Sequence, residues 1–400
     1  MSSRALDVLV LLSALLLLGC MGCATGVQAA GNVAADGRLF AYDPKYAGQS
    51  RGDGVSLVAE PQLDTKTEDG VHAATVRPFY RLDPTDEKRS HADLREGSYR
   101  LAVGHFQAGI GAGIFTWGVL ESYKPTDVMN QTDFVEATDG SAKLGQPYGS
   151  VGWVGDSAAL RLYYLPYFRD RTFQGLRGRP RFSVPIDTDD PIFANRNGRW
   201  QPSAAARFTL NLGDFDLGAG LFTGLSREPR FVAELTTGQI SPRYDLMHQG
   251  SVDAQWTLGS LVLKAEGFAR LWGDSLRAFA GGGAGADYTF FKVSGDADLS
   301  LAAEFLFDTR PRDAAPTFFD HDGFLGMRLA FNDTSSTELV AGAVVDVLDQ
   351  STFGRAGVSR RFGDHWRVSL DANVFFGPHG KLESSFLKDD YGHARIAYFF

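Results

Sequence analysis

The sequence is poor in cysteine, and its two cysteines, Cys20 and Cys23, both lie near the N-terminus. Residues 1–29 have the order of an export signal, with Arg4 near the start, an apolar core from Val8 to Leu18 and small residues after it. We expect cleavage after residue 29, which would leave a mature chain without cysteine. Disulfides and thiolate metal sites are then excluded.

A second way of processing this segment stays open. Leu17, Leu18, Gly19 and Cys20 form a pattern typical of a lipoprotein signal, in which the cysteine is acylated. We favour ordinary cleavage after Ala29, because a protein that spans the membrane by itself needs no lipid anchor.

Beyond this segment the sequence also lacks an apolar run of about eighteen residues, which excludes a helical membrane protein. A charged fraction of 22% does not exclude a protein that crosses with strands, because half of each strand then faces water. The net charge of -9 argues against nucleic acid and anionic membrane surfaces as partners. No change of composition indicates a linker, so one domain is expected.

What the sequence does have is alternation, most regular between Tyr244 and Asp308. There, Leu246, Val252 and Trp256 share one strand face, and polar side chains such as Gln249 and Asp253 share the other. Three more segments repeat this pattern after turns, at 261–271, 277–290 and 298–308. Segments of roughly ten residues, apolar on one face and polar on the other, are typical of transmembrane β-barrels.

The predicted fold class is all-β, a single antiparallel transmembrane β-barrel of about 16 strands, with 14–18 as the range. A soluble β-sandwich is the alternative, but its strands average roughly five or six residues. We assign residues 30–54 to a periplasmic lead-in and residues 55–400 to the barrel. The predicted location is the outer membrane of a Gram-negative bacterium, which the protein reaches by export through the periplasm.

The last strand ends in an aromatic residue, with Ile396, Tyr398 and Phe400 on one face. A terminal phenylalanine that closes an alternating strand resembles the signal by which outer-membrane barrels reach their assembly machinery. The lipid bilayer and that machinery are therefore the expected partners.

One further segment resembles a pattern of uncharacterised porin-like outer-membrane proteins, in which Trp-Gly is followed by a Thr-Asp-x-x-Asn-x-x-Asp-Tyr/Phe loop. The matching residues here are Trp117, Gly118, Pro125, Thr126, Asp127, Asn130, Asp133 and Phe134. Shorter matches occur at 143–147, 165–169 and 389–391. Gln131 departs from the pattern, which often has proline there. The resemblance implies a large barrel in the outer membrane and leaves its substrate open.

The loop motif raises the question of a metal site. Asp127, Asn130 and Asp133 carry the oxygen ligands that calcium prefers. Side chains of this kind at this spacing more often cap backbone groups in a turn, and we favour that interpretation. We therefore predict no metal and no cofactor.

Motifs of enzymes are missing as well. The eight histidines are scattered, and no His-Glu-x-x-His site occurs. The spacing Gly-x-Ser-x-Gly occurs once, at 48–52, in an irregular segment and not between a strand and a helix, as a nucleophile elbow requires. We predict that the protein is not an enzyme.

Charged side chains on the inward face suggest how a pore is lined. The candidates are Arg77, Arg161, Asp253, Lys264, Glu266, Arg270, Glu304, Arg328, Arg367 and Asp371. Both signs occur, so the sequence assigns no charge selectivity. Two functions remain: a passive or weakly selective channel for small solutes, and a non-conducting barrel in an envelope export system. In the second, the segments 118–147 and 169–202 would fill the interior. The transported solute and the oligomeric state stay unassigned.

Overall fold

The computed structural model describes residues 26–52, 54–233, 238–378 and 383–400. Twenty-one strands are present in this part of the chain. They are β1 (Val27–Phe40), β2 (Ser56–Lys66), β3 (His72–Leu82), β4 (His91–Val103), β5 (Phe106–Gly113), β6 (Gln146–Val154), β7 (Ala158–Leu165), β8 (Ile192–Phe193), β9 (Ser203–Leu212), β10 (Phe215–Leu225), β11 (Arg230–Ala233), β12 (Ile240–Tyr244), β13 (Leu246–Leu258), β14 (Leu261–Trp272), β15 (Arg277–Ser294), β16 (Ala297–Asp308), β17 (His321–Ala330), β18 (Glu338–Asp346), β19 (Thr352–Phe362), β20 (Trp366–Phe376) and β21 (Tyr391–Phe399).

Eighteen of these strands form one antiparallel sheet that closes on itself, because β1 pairs with β2 on one side and with β21 on the other. The prediction of an antiparallel β-barrel is thus confirmed, at the upper end of the expected strand number. The other three strands, β8, β11 and β12, form a small separate sheet. The helices among the described residues are three short 3-10 turns. No helix in the described ranges has the length and apolarity needed to cross a membrane.

The alternation in β13–β16 fixes which side chains point into the barrel. On β13, Val252 is 57% exposed, whereas its neighbour Asp253 is 5% exposed. On β14, Lys264 and Glu266 are buried, and Leu263 and Leu271 lie on the exposed outer face. The apolar residues therefore face outward, as the sequence predicted.

The predicted periplasmic lead-in at 30–54 is wrong for its first part, because residues up to Phe40 belong to β1. Asn32, Asp36 and Arg38 face inward there, and Val33 and Leu39 are exposed on the outside. The many small residues of this strand, four of them alanine, weakened its alternation in the sequence. Within the described part of the chain, the first strand of the barrel begins at Val27, and the predicted cleavage after residue 29 falls within β1. That cleavage stays a prediction, and Cys20 lies outside the described residues.

The two ends of the barrel differ in the length of their connections. At one end, here called the short-turn end, hairpins such as Gly104–His105, Gly213–Asp214 and Gly259–Ser260 need only two residues. β1 begins and β21 finishes at this end. At the opposite, long-loop end, the connections include residues 114–145, 166–202, 226–245, 309–320 and 377–390.

Candidate functional site

The long connections turn into the barrel and occupy a large part of its lumen. The connection 114–145, here called the inward segment, carries the whole family-motif loop. Leu120, Met129 and Asp133 of this segment are fully buried. Their surroundings are the inward-facing side chains of the wall, so the segment lies inside the barrel.

Two carboxylates of the wall hold the first half of the inward segment. Glu266 accepts hydrogen bonds from the backbone N–H of Val119 at 2.9 Å and from the hydroxyl of Thr126 at 3.0 Å. Glu304 accepts the backbone N–H groups of Glu121 and Ser122, at 2.6 and 2.9 Å. Charge-assisted bonds of this kind are among the stronger hydrogen bonds in proteins.

The glycine of the motif is needed for this approach. Gly118 has a φ of +93°, and a Cβ there would lie 2.0 Å from Oε2 of Glu266. Only glycine therefore allows the backbone to come this close to the carboxylate. The neighbouring Trp117 is buried, and the guanidinium of Arg207 lies 5.4 Å from its ring centre. Arg207 is held in turn by Asp253, at 2.6 and 2.8 Å.

The second half of the inward segment is tied to β3 and β4. Asp133 accepts hydrogen bonds from Arg95 at 2.6 Å and from the hydroxyl of Thr172 at 2.6 Å, and it lies 3.3 Å from His91. Burial opposes ionisation of Asp133, but the bond with His91 and the charge of Arg95 outweigh it and hold its pKa well below its ordinary value. Glu136 adds an ion pair with Arg81 at 2.8 Å.

Most oxygen atoms of the motif residues are occupied by protein contacts, with the Oδ1 atom of Asp127 as an exception. The side-chain oxygen of Asn130 accepts the N–H of Phe115, and its nitrogen donates to the carbonyls of Gly113 and Leu144, each at 2.8 Å. Asp127 is near Lys143, at 3.8 Å. In the described ranges, no group of three or more His, Cys, Asp or Glu side chains is arranged to hold a metal ion. Asn130 is thus a backbone cap, as the favoured interpretation has it.

A further ionic group lies where the connection 226–245 enters the lumen. Glu228 pairs with Arg270 of β14 and with Arg310, at 2.5 and 3.3 Å. Burial disfavours the charged form of Glu228, yet Arg310 and Arg270 hold its pKa far below the ordinary value. This connection is therefore also anchored to the inner wall.

Aromatic side chains from the five connections named above meet near the long-loop end. This phenylalanine cluster consists of Phe134, Phe173, Phe182, Phe231, Phe318, Phe353, Phe375 and Phe386. The rings of Phe134 and Phe182 are stacked with their centres 5.8 Å apart. A cluster of this kind in a lumen forms an apolar constriction, where water is disfavoured.

A cavity of about 1060 Å³ remains between the inward segment and the wall from β15 to β20. Its lining includes Ser300 and Arg328 near the short-turn end. At the opposite end its lining includes Ser351 and the phenylalanine cluster. The small residues Ala302, Gly326 and Gly342 leave room along the wall between these two ends.

The ten predicted pore-lining residues all lie on inward-facing positions of their strands, but they have different roles. Five of them are buried: Lys264, Glu266, Arg270 and Glu304 contact the inward connections, and Asp253 holds Arg207 of β9. Asp371 pairs with Arg355 at 2.8 Å. Of the ten, Arg270 and Arg328 line the cavity. Arg77, Arg161 and Arg367 are partly exposed on the inner wall.

Sequence reasoning missed the phenylalanine cluster. Its loop residues are far apart in the sequence, so no period of two or 3.6 marks them. The available signal was the occurrence of a phenylalanine in each of the five connections that contribute to the cluster.

Comparison with known proteins gives likeness of fold. No family model and no curated protein matches the chain. One similar structure is the Wzi protein of Escherichia coli, a carbohydrate-binding β-barrel of the outer membrane that is involved in group 1 capsule assembly. It is 9% identical to this chain, and the match covers 97% of this chain and 88% of Wzi with a TM-score of 0.55. OccK3 of Pseudomonas aeruginosa is 10% identical, with 96% and 98% covered and a TM-score of 0.55. A BenF-like porin from Pseudomonas fluorescens is 9% identical, with 95% and 99% covered and a TM-score of 0.54. The fold of this chain is therefore that of outer-membrane β-barrels of Gram-negative bacteria.

Proposed function

We propose that the protein is a porin-like channel of the outer membrane that passes small solutes along one side of its lumen. The observation that carries this proposal is the cavity between the inward segment and the β15–β20 wall, whose lining extends from one end of the barrel to the other. The fold shared with a BenF-like porin supports the same role.

The connections suggest how the channel is oriented. Outer-membrane barrels have short periplasmic turns and longer extracellular loops. The short-turn end then faces the periplasm, and the phenylalanine cluster lies at the extracellular mouth. A solute from outside would pass this cluster first and then the polar stretch near Ser300 and Arg328. Charged residues of both signs line the path, including Glu121, Asp287 and Arg355, so the channel is proposed to be weakly selective.

Planar-bilayer conductance of the purified protein tests the proposal. We expect discrete conductance steps for the natural sequence. Ala302→Trp places an indole in the cavity and should lower the size of these steps, because the side chain of this residue faces inward. Ala303→Trp is the matched control, since its side chain points to the lipid from the next position of β16. Silence of the natural protein at all voltages would contradict the channel and leave the non-conducting barrel.

A further inference from the structure

The barrel wall has one place where its hydrogen-bond ladder is interrupted. Between β2 and β3, paired positions continue up to Ala59 and resume only at Leu63. In the same register, Pro61 of β2 lies opposite Pro78 of β3. We call positions 60–62 and 77–79 together the β2–β3 seam.

The chemistry of proline explains why the ladder stops here. The backbone N–H of Thr67 donates to the carbonyl of His72 at 3.0 Å, so this pair is a hydrogen-bonded pair of the ladder. Such pairs recur at every second residue, and each exchanges two N–H···O bonds. Pro61 and Pro78 occupy one of these positions, but neither has an N–H. Two ladder bonds cannot form, and two carbonyl groups lose their usual donors.

This interruption is unusual for a barrel. Proline within sheets is otherwise confined to edge strands, strand starts and bulges, and closure of the barrel removes edges. The neighbouring strands are irregular at the same place. A Cβ on Gly31 of β1 would lie 2.7 Å from the carbonyl oxygen of Glu60. On the other side, the register between β3 and β4 shifts between Arg77 and Pro78, which leaves Arg95 as a bulge.

The two faces of the seam differ in polarity. Pro61 and Pro78 point outward towards the lipid. Glu60, Gln62 and Arg77 point into the lumen. The Nε atom of Arg77 is buried, and among the described residues it has no hydrogen-bond partner. The seam therefore presents a polar inner edge, with the unpaired Nε of Arg77, next to an apolar outer edge.

We propose that the β2–β3 seam is a lateral passage between the lumen and the bilayer for single-chain amphiphiles. The head group lies at Arg77 inside the barrel, and the apolar tail passes between Pro61 and Pro78. The strands separate here more easily than elsewhere, because the two missing ladder bonds do not have to be broken. This goes beyond the channel proposed above, since its path lies at a different wall from β15–β20.

Photolabelling in lipid vesicles tests this passage. The probe is dodecanoate with a diazirine next to its carboxylate, and dodecane with the same diazirine is the headless control. We expect the dodecanoate probe to label the inward-facing Gln62 and Arg77, and the headless probe to label outward residues such as Leu63. In the variant Pro61→Val/Pro78→Val, both missing N–H groups are restored. The ladder should then close, and labelling of the inner positions should be lost.

Ala59→Val, which alters the same strand and keeps both prolines, is the matched control and should be labelled like the natural protein. Arg77→Gln should weaken the inner labelling without closing the seam. Absence of inner labelling in the natural protein, or its persistence in the double-valine variant, overturns the proposal. If the headless probe labels the inner positions as strongly as the dodecanoate probe does, the proposed preference for amphiphiles is overturned. Conductance measured on the same samples reports on the channel separately, and heat-modifiable migration on gels verifies that each variant is folded.

Discussion

Two walls of the barrel are built in different ways. The wall from β13 to β16 is regular: β13 and β14 pair without interruption from Met247 to Leu258. The wall from β1 to β4 is irregular, with Gly31, the facing prolines Pro61 and Pro78, and the bulge at Arg95. Inside the regular wall, carboxylates bind the backbone of the inward segment. Inside the irregular wall, charged side chains bind one another.

The difference shows what stabilises each wall. In the regular wall, the ladder of backbone hydrogen bonds is uninterrupted from β13 to β15, and the register shift between β15 and β16 lies between Phe290 and Ser294, near the short-turn end. The charged side chains of this wall hold another segment. In the irregular wall the ladder is incomplete. Its inner face instead has a buried ionic network, in which Arg81 bridges Asp36 at 2.9 Å and Glu136 at 2.8 Å. We infer that this network keeps the weaker strands together from the inside.

The largest expected effect concerns the strand that closes the barrel against β1. Tyr398→Asp/Phe400→Asp should abolish insertion into the outer membrane while leaving expression unchanged. The two aromatics lie on the lipid-facing side of the last strand, and Phe400 exchanges backbone hydrogen bonds with Gly31 at 3.2 and 3.1 Å. Heat-modifiable migration on gels measures insertion. Retained heat-modifiability of the double variant would contradict the predicted role of this terminus.

The next largest expected effect is a loss of stability in the irregular wall. It measures how much the ion pairs on the inner face contribute, apart from the backbone hydrogen bonds. Asp133→Ala should lower the free energy of unfolding by about 3–5 kcal/mol, because it removes a buried carboxylate that pairs with both Arg95 and His91 and leaves Arg95 with Asp93 alone, at 3.2 Å. Urea unfolding in lipid vesicles measures the loss. Asp139→Ala, in the more exposed part of the same segment, is the control and should cost only about 0–1 kcal/mol. Similar losses for both variants would refute the inferred role of the network.

This contribution also has a definite pH dependence. The folded pKa of Asp133 lies below its ordinary value of 3.8, so the stabilisation is fully present above that value and is lost as the pH falls through the lowered pKa. The difference between Asp133→Ala and the natural protein should therefore not shrink from neutral pH down to the ordinary carboxyl range. It should shrink only in stronger acid. A difference that already vanishes in mildly acidic solution would contradict this.

The smallest expected loss of stability tests which side chains of the regular wall point to the lipid and which point to the lumen. Ala303→Arg puts a charge into lipid near the middle of β16 and should cost about 2–4 kcal/mol. Ala302→Arg should cost far less, because its side chain reaches the cavity. The two neighbours lie at the same depth in the membrane and share their backbone pairing. The difference between their free energies of unfolding in urea therefore reports only whether the side chain points to the lipid or to the lumen. Equal losses would mean that the strand is shifted by one residue.

The sequence predicted the regular wall well, since β13, β14 and β16 alternate over nearly their whole length. Val252 and Asp253 show why: strict alternation of apolar and polar residues leaves one assignment of faces. It predicted the irregular wall less well. In β1, alanines take both faces, and in β2 and β3 the prolines argue against central strands.

The role of the inward charges was not predictable from the strands alone. Glu266 and Glu304 were assigned the right face, but their partners are backbone N–H groups of residues 119–122, more than a hundred positions away. A period of two in the sequence indicates on which face of a strand each side chain lies. It gives no information about what fills the lumen. The family motif marked the segment concerned without indicating that it folds inward.

The inward segment also has a mechanical consequence. Its first half is fixed to β14 and β16, and its second half to β3 and β4. In a ring of eighteen strands, β4 and β16 are nine strands apart and thus face each other across the diameter. A closed sheet without such a connection flattens easily into an ellipse. Here a covalent chain with polar contacts at both ends acts as a cross-brace, which resists flattening of the barrel and keeps the width of the remaining cavity constant under lateral pressure from the bilayer.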